Sequence, residues 1–295
     1  MSPSTTSSAG SSASALVAWG RLLRLSLAPT AAADIVAGAL FAARGWPGGA
    51  APWLLLGASL CIYHGALALN DWADREHDAR TRPERPIPSG AVSAGAALTL
   101  ALVLLGGGAA LSWCASSAAG IVLSTVALLA ALYDVAGRGA WSGPLLLGLC
   151  RAGNLAAGMS VLGAAWTTES LSLAAGYGAY VFFVSRLGRL EDGEAGAIGR
   201  QPCWLLGAAA VCQLVPLVWA PLWPSPLACV GLLVLALRRE WSRGDVLAAM
   251  GSALRLLLGY SAAVAELGAG SLAAFLLLIA AYPLAWALRQ LFPPS

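Results

Sequence analysis

The stretch 70–78 carries Asn70, Asp71, Asp74 and Asp78 at the end of a long apolar run. On a helix, Asn70, Asp74 and Asp78 recur at i, i+4 and i+8, and Asp71 joins Asp74 and Asp78 at i+3 and i+7. One face then presents an amide and three carboxylates, which repel one another unless a cation sits among them. Mg2+ suits such hard oxygen ligands, phosphate oxygens included. The alternative is a solvated acidic loop with Arg75 and Arg80 as ion-pair partners. An Asn and three Asp on a single stripe favour the cation. The continuation Arg82-Pro83-Glu84-Arg85-Pro86-Ile87-Pro88-Ser89-Gly90 has prolines that stop the helix and predict an extended, basic loop beside the acidic face. Arginines next to an Mg2+ site are what a diphosphate requires.

A second gathering of charge lies at 185–194, with Arg186, Arg189, Glu191, Asp192 and Glu194. Its carboxylates lack i, i+4 spacing, and Gly193 weakens a helix between Glu191 and Glu194. Two readings stand open. Arg186 and Arg189 contact a diphosphate while Glu191 or Asp192 binds metal, or the cluster is an interfacial loop of mutually paired charges in a chain with lost or altered activity. Three further polar features fall inside apolar runs. Arg151 and Asn154 are a helical turn apart, and an arginine there faces a polar cavity or an anion unless it snorkels to the interface. Asp34 is deep enough to need a partner, and Arg151 is a candidate. Tyr133, Asp134 and Arg138 fit the mouth of the same cavity. His64 reads as a packed neutral ring and His77 as solvated.

The elements that must position these residues are membrane helices. Of the 295 residues 59% are hydrophobic and 11% charged, against about 25% charged in a soluble domain, and the mean hydropathy is +0.75. Soluble enzymes, disordered chains and disulfide scaffolds are excluded together. With about 20 apolar residues per crossing, candidate spans fall at 26–44, 51–70, 92–113, 117–136, 142–164, 169–187, 203–222, 225–238, 246–265 and 270–291. Residues 1–14, rich in Ser, Thr and Ala, read as a disordered tail, and 15–295 as one polytopic domain, with order setting in near Leu16.

The net charge of +3 rests on 17 basic residues against 14 acidic ones, and every basic residue is Arg. No basic tract exists to follow a phosphate backbone, so nucleic acid is not a partner. The arginines lie before the first span and after the even-numbered ones, which puts these ends in the cytoplasm of a multi-pass cell-membrane protein. The six cysteines are scattered and read as small apolar side chains. Trp46, Trp53, Trp141, Trp219 and Trp223 fall at span ends, as an interfacial belt does. The glycines at 106–108 read as helix-packing positions, since no nucleotide-binding fingerprint follows a strand.

The pattern N-D-x-x-D-x-x-x-D, here Asn70, Asp71, Asp74 and Asp78, followed by Arg82-Pro83-Glu84-Arg85-Pro86-Ile87-Pro88-Ser89-Gly90, resembles the first signature of the UbiA superfamily of intramembrane prenyltransferases. The layout is similar over nearly the whole chain, from Arg21 and Arg24 through Tyr133-Asp134 to the 185–194 cluster. The resemblance implies an all-α integral membrane protein of about nine transmembrane helices around a central cavity, where hydropathy allows ten. It implies Mg2+ on Asn70, Asp71, Asp74 and Asp78, with Glu191 and Asp192 as further ligands. Arg82, Arg85, Arg151, Arg186, Arg189, Asn154 and Tyr133 would contact the diphosphate of an isoprenyl donor. Asn70, Asp71 and Asp74 would be catalytic in moving the isoprenyl group to a lipophilic or small cyclic acceptor, within membrane lipid and from the cytoplasmic side. The family's second motif, D-x-x-x-D, is not matched at 185–194, which puts a second Mg2+ in doubt. Together with Arg151 and Asn154, that departure resembles a divergent, EboC-like branch. The alternative function is a non-catalytic or transport-related descendant that binds prenyl lipids.

Overall fold

The computed structural model describes residues 7–163, 166–189, 201–220 and 256–292, with a few positions between 227 and 254, and side chains from Ala15 onward. Every regular element among them is helical. Helix α1, Ser7–Leu22, begins inside the segment expected to be a tail; its Ser and Ala residues tolerate helical geometry, Ala best of all. A short 3-10 turn, Leu25–Leu27, leads into α2, Ala28–Ala43. Then come α3 (Ala51–Thr81), α4 (Ala94–Ala115), α5 (Ser117–Val135), α6 (Ser142–Met159) and α7 (Thr168–Arg189). Ser93 and Ser116 cap α4 and α5 by accepting from Ala96 N and Ala119 N, which fills a donor otherwise lost at a helix start.

Leu25–Ala43, Ala51–Thr81, Ala94–Ala115 and Ser117–Val135 are long and apolar enough to cross a membrane. Helix α3 has 31 residues, about 46 Å at 1.5 Å per residue. A hydrocarbon core is about 30 Å thick. Helix α3 is thus longer than a crossing needs by several turns, length enough for the aspartate-bearing end to project beyond the core.

Two of the expected spans are broken. The 203–222 span is α8 (Gln201–Cys212) and α9 (Val215–Trp219), and the 270–291 span is α11 (Leu272–Ile279) and α12 (Ala281–Leu291), with α10 (Leu257–Ala269) before it. Pro216 and Pro283 have no N–H for the carbonyls of Cys212 and Ile279, four residues earlier, and those are the residues at which α8 and α11 end. Most of 225–238 and the first part of 246–265 lie outside the described residues.

Helix α2 serves two cores. Ile35 and Ala39 pack with Leu55, Ala58 and Ile62 of α3 and Leu123 of α5, while Ala33, Ala37 and Leu40 pack with Leu155 of α6, Tyr177 and Tyr180 of α7 and Tyr260 of α10. The Tyr177 and Tyr260 rings stack at 5.0 Å. Glycine permits the close crossing of α2 and α6. A Cβ on Gly38 would lie 2.4 Å from the Leu155 carbonyl oxygen, and one on Gly158 2.4 Å from that of Ile35. Of the glycines at 106–108, Gly108 alone has this role, its Cβ position being 2.7 Å from Ala58 O; Gly106 and Gly107 face open space.

Candidate functional site

The acidic end of α3 is one helical face in sequence but two rows in space, each with its own counter-ions. Asp71 and Asp78, both buried, face inward. Arg24 Nη2 donates to Asp71 Oδ1 at 2.7 Å, and Arg85 Nη1 donates to Asp78 Oδ2 at 2.6 Å while lying 3.6 Å from Asp71. Asn70 and Asp74 form the other row. Asn70 donates to Asp134 Oδ1 at 2.9 Å, and Arg138 pairs with Asp74 and reaches Asp134 at 3.7 Å. Arg24 sits in the left-handed region at φ 47, a backbone cost that the tertiary fold around it must offset.

The loop after α3 is compact, not extended. Arg85 N bonds Arg82 O at 3.1 Å, Ser89 N bonds Arg85 O at 3.0 Å and Val92 N bonds Pro86 O at 2.9 Å. Pro83 occupies the second position of the first turn, where its fixed φ is favourable. Folding the loop back buries Arg85 against the acidic face and leaves Arg82 exposed at the end of α3. Arg75 lies over the Trp72 ring and bonds Glu76, away from the cluster. His77 is exposed, while His64, 9% exposed, has Nδ1 2.6 Å from Leu23 O.

A cavity of about 320 Å³ opens beside this end and runs between α3, α5, α6 and α7. At its mouth are Arg24, Asn70, Tyr133 and Asp134. Ile62, Ala66, Leu67, Ala130, Leu147 and Val181 supply apolar walls. Deeper in, Ser59, Tyr63, Arg151 and Asn154 line it. The expected Asp34–Arg151 contact is present at 2.9 Å. Asp34, fully buried, accepts in addition from Asn154 at 3.1 Å, Tyr177 OH at 2.7 Å and Ser261 Oγ at 3.0 Å. Arg151 Nη2 donates to Thr30 Oγ1 at 3.0 Å, and its guanidinium lies 5.1 Å from the Tyr63 ring centre.

Of the residues singled out in the sequence, Asn70, Asp71, Asp74, Asp78, Arg85, Tyr133, Arg151 and Asn154 fall in or beside this region. Arg186 is buried over the Trp141 ring at 4.8 Å, next to the cavity-lining Ser185. The side chain of Arg189, and Glu191 and Asp192 entirely, lie outside the described residues. Tyr63, Ser59 and Tyr177 were not picked out beforehand. Tyr63 had a signal, standing at i−7 from Asn70 on the same helix face.

The α3 carboxylates turn to arginines, not to one another, and among the described residues no three His, Cys, Asp or Glu side chains close on a common cation position. The donor set nonetheless suits Mg2+. Asp71 Oδ2 is buried without a partner among the described residues, Asp74 is a quarter exposed, and Asn70 adds an amide oxygen, all hard ligands.

The chain resembles known proteins in sequence and in shape. Over 53 residues it is 51% identical to the digeranylgeranylglyceryl phosphate synthase of Methanothrix thermoacetophila, covering 18% of this chain and 20% of that one. Over 116 residues it is 35% identical to the bacteriochlorophyll synthase 33 kDa chain of Cereibacter sphaeroides, covering 37% and 38%. The chain thus spans well under half the length of these curated relatives. A solved UbiA homologue from Aeropyrum pernix K1 superposes with a TM-score of 0.64 at 19% identity, over 80% of this chain and 96% of that one. One from Archaeoglobus fulgidus, bound to DMAPP and Mg2+, gives 0.60 at 15% identity over 89% and 99%. The model of the UbiA prenyltransferase family matches residues 27–192, more than half of the chain, which take in the acidic face of α3, its counter-ions Arg85 and Arg138 and most of the cavity lining, and the chain belongs to that family.

Proposed function

We propose that this protein is an Mg2+-assisted intramembrane prenyltransferase, moving an isoprenyl group from an allylic diphosphate to a lipophilic or small cyclic acceptor. The observation that carries the reading is the junction at Asn70, where a charged mouth of carboxylates and arginines meets an apolar-walled cavity. An isoprenyl diphosphate has the matching amphiphilic form.

Asn70, Asp71 and Asp74 would hold Mg2+, which when bound neutralises charge on the diphosphate. Arg24 and Arg138, both partly exposed, exchange their carboxylate partners for phosphate oxygens. The allylic C–O bond breaks with its electron pair leaving on the diphosphate. The acceptor's nucleophilic atom supplies the pair that forms the new bond to the allylic carbon, and its proton departs with the diphosphate. Arginines aimed at the leaving group stabilise the charge that builds there. Asp78, locked on Arg85 with both side chains under a tenth exposed, anchors the loop against α3. The arginine-rich ends share a side with Asn70 and Asp71, which supports a cell-membrane protein with its site facing the cytoplasm.

One observation favours a second reading, a prenyl-lipid-binding protein without turnover: Asp71, Asp74 and Asp78 are each already paired with arginine. Membranes from cells making the protein, given labelled geranyl, farnesyl or geranylgeranyl diphosphate and Mg2+, separate the two. Transfer of label into a new lipid-extractable product, lost in Asp71→Ala and Asp74→Ala, supports the enzyme. Donor binding with no such product supports the second reading.

A further inference from the structure

Two polar groups line the cavity, and they lie apart. Tyr63 and Asn70 are seven residues apart on one face of α3, two turns or about 10 Å along its axis, with the apolar Ala66 and Leu67 between them on the wall. The inner group is built around a carboxylate that can do no more. Asp34 accepts four hydrogen bonds, two on each oxygen, from Arg151, Asn154, Tyr177 and Ser261. So saturated, it acts as the fixed counter-ion of Arg151.

Arg151 is not saturated. Its guanidinium has five N–H groups, and its described acceptors are Asp34, Thr30 and Tyr63. Nε and one Nη1 hydrogen have no acceptor among the described residues. The Tyr63 hydroxyl accepts weakly from Arg151 at 3.5 Å and donates to no described group. Ser185 also lines the cavity and makes no hydrogen bond to a described residue. Donors thus converge on space that the protein leaves open.

We infer that this inner group is the acceptor subsite, and that it takes a neutral ring or head group bearing hydroxyl or carbonyl oxygens, held by Arg151 and Tyr63. The inference rests on the prenyltransferase reading and refines it: Arg151 serves the acceptor, two turns from the carboxylates, and not the diphosphate. Charge selects the class. Asp34 already cancels the charge of Arg151, so an anionic head group would leave a net negative charge buried, which a low-dielectric interior penalises. A ring with one oxygen on Arg151 can turn its opposite edge toward the mouth, where the allylic carbon would lie. Asp34 is a positioning residue that acts through Arg151.

The test is equilibrium binding to the full chain in nanodiscs, using the near-isosteric neutral and anionic probes 4-hydroxybenzyl alcohol and 4-hydroxybenzoate, with geranylgeranyl diphosphate and Mg2+ measured alongside. Wild type should prefer the alcohol by about tenfold or more. Tyr63→Phe should weaken the alcohol several-fold and leave donor affinity within about twofold. Asp34→Asn should reverse the preference toward the benzoate, which loss of packing alone would not do. If Asp34→Asn does not fold, the wild-type preference and Tyr63→Phe still decide. The inference is overturned if the benzoate binds wild type as well as the alcohol, if neither probe binds, or if Tyr63→Phe leaves the alcohol unchanged or weakens the donor in step with it. Failure of the prenyltransferase reading shows elsewhere, as donor affinity and product formation indifferent to Asp71→Ala.

Discussion

At the scale of single residues, the buried aspartates Asp34, Asp71, Asp78 and Asp134 each face an arginine, and the pairing decides what each residue does. Asp78 and Arg85 are buried and 2.6 Å apart. Removing one partner of such a pair strands the other, at about 3–5 kcal/mol. Arg85→Ala should therefore lower thermal stability sharply in detergent, and Asp78→Ala/Arg85→Ala should recover more than half of that loss. A double variant no more stable than Arg85→Ala would assign the cost to lost packing. Much of this was legible beforehand. The Asn70, Asp71, Asp74 and Asp78 stripe is visible because its residues are local, and Asp34 with Arg151 because lone charges in apolar runs must find each other. Tyr177 and Ser261 were not visible as ligands of Asp34, since hydroxyls carry no net charge to mark them and the partners come from distant helices. Nor did sequence separate Arg82, left exposed, from Arg85, buried by the turns of the intervening loop.

At the scale of elements, close helix crossings hold the cavity in shape. Helices α2 and α6 meet where Gly38 faces Leu155 and Gly158 faces Ile35, and the same two helices bring Asp34 to Arg151. Gly38→Ala would press a Cβ on backbone atoms and should destabilise by about 1–3 kcal/mol. Gly106→Ala meets nothing within 4 Å and should be neutral or stabilising by about 0.5–1 kcal/mol. Thermal unfolding of the two variants checks the contrast; equal losses would contradict it. Hydropathy marked the apolar runs that hold α8 with α9 and α11 with α12 but not the breaks at 213–214 and Ala280, because a window of apolar residues averages over a proline. Read as missing donors, Pro216 and Pro283 mark both breaks. Gly106, Gly107 and Gly108 look alike in sequence, and their roles differ only because Gly108 alone faces α3.

At the scale of the whole molecule, the proposed orientation puts the arginine-rich ends and the acidic face of α3 on the cytoplasmic side and the 45–51 loop on the other. In a chain with its native cysteines replaced, Glu76→Cys should react with a membrane-impermeant maleimide only once the cytoplasmic side is opened. Gly48→Cys, in the exposed 45–51 loop, should react in intact cells. The reverse pattern would turn the site outward. Fold and family were both readable from composition and one motif, because a membrane interior leaves few places where carboxylates and arginines can gather. The most direct test is diphosphate release by the purified protein from geranylgeranyl diphosphate across an Mg2+ titration, in wild type and Asp71→Asn. Release that rises with Mg2+, is abolished by chelation and falls by about a hundredfold or more in Asp71→Asn is the expected result. Donor binding without Mg2+-dependent release, with any acceptor or with water, would contradict it.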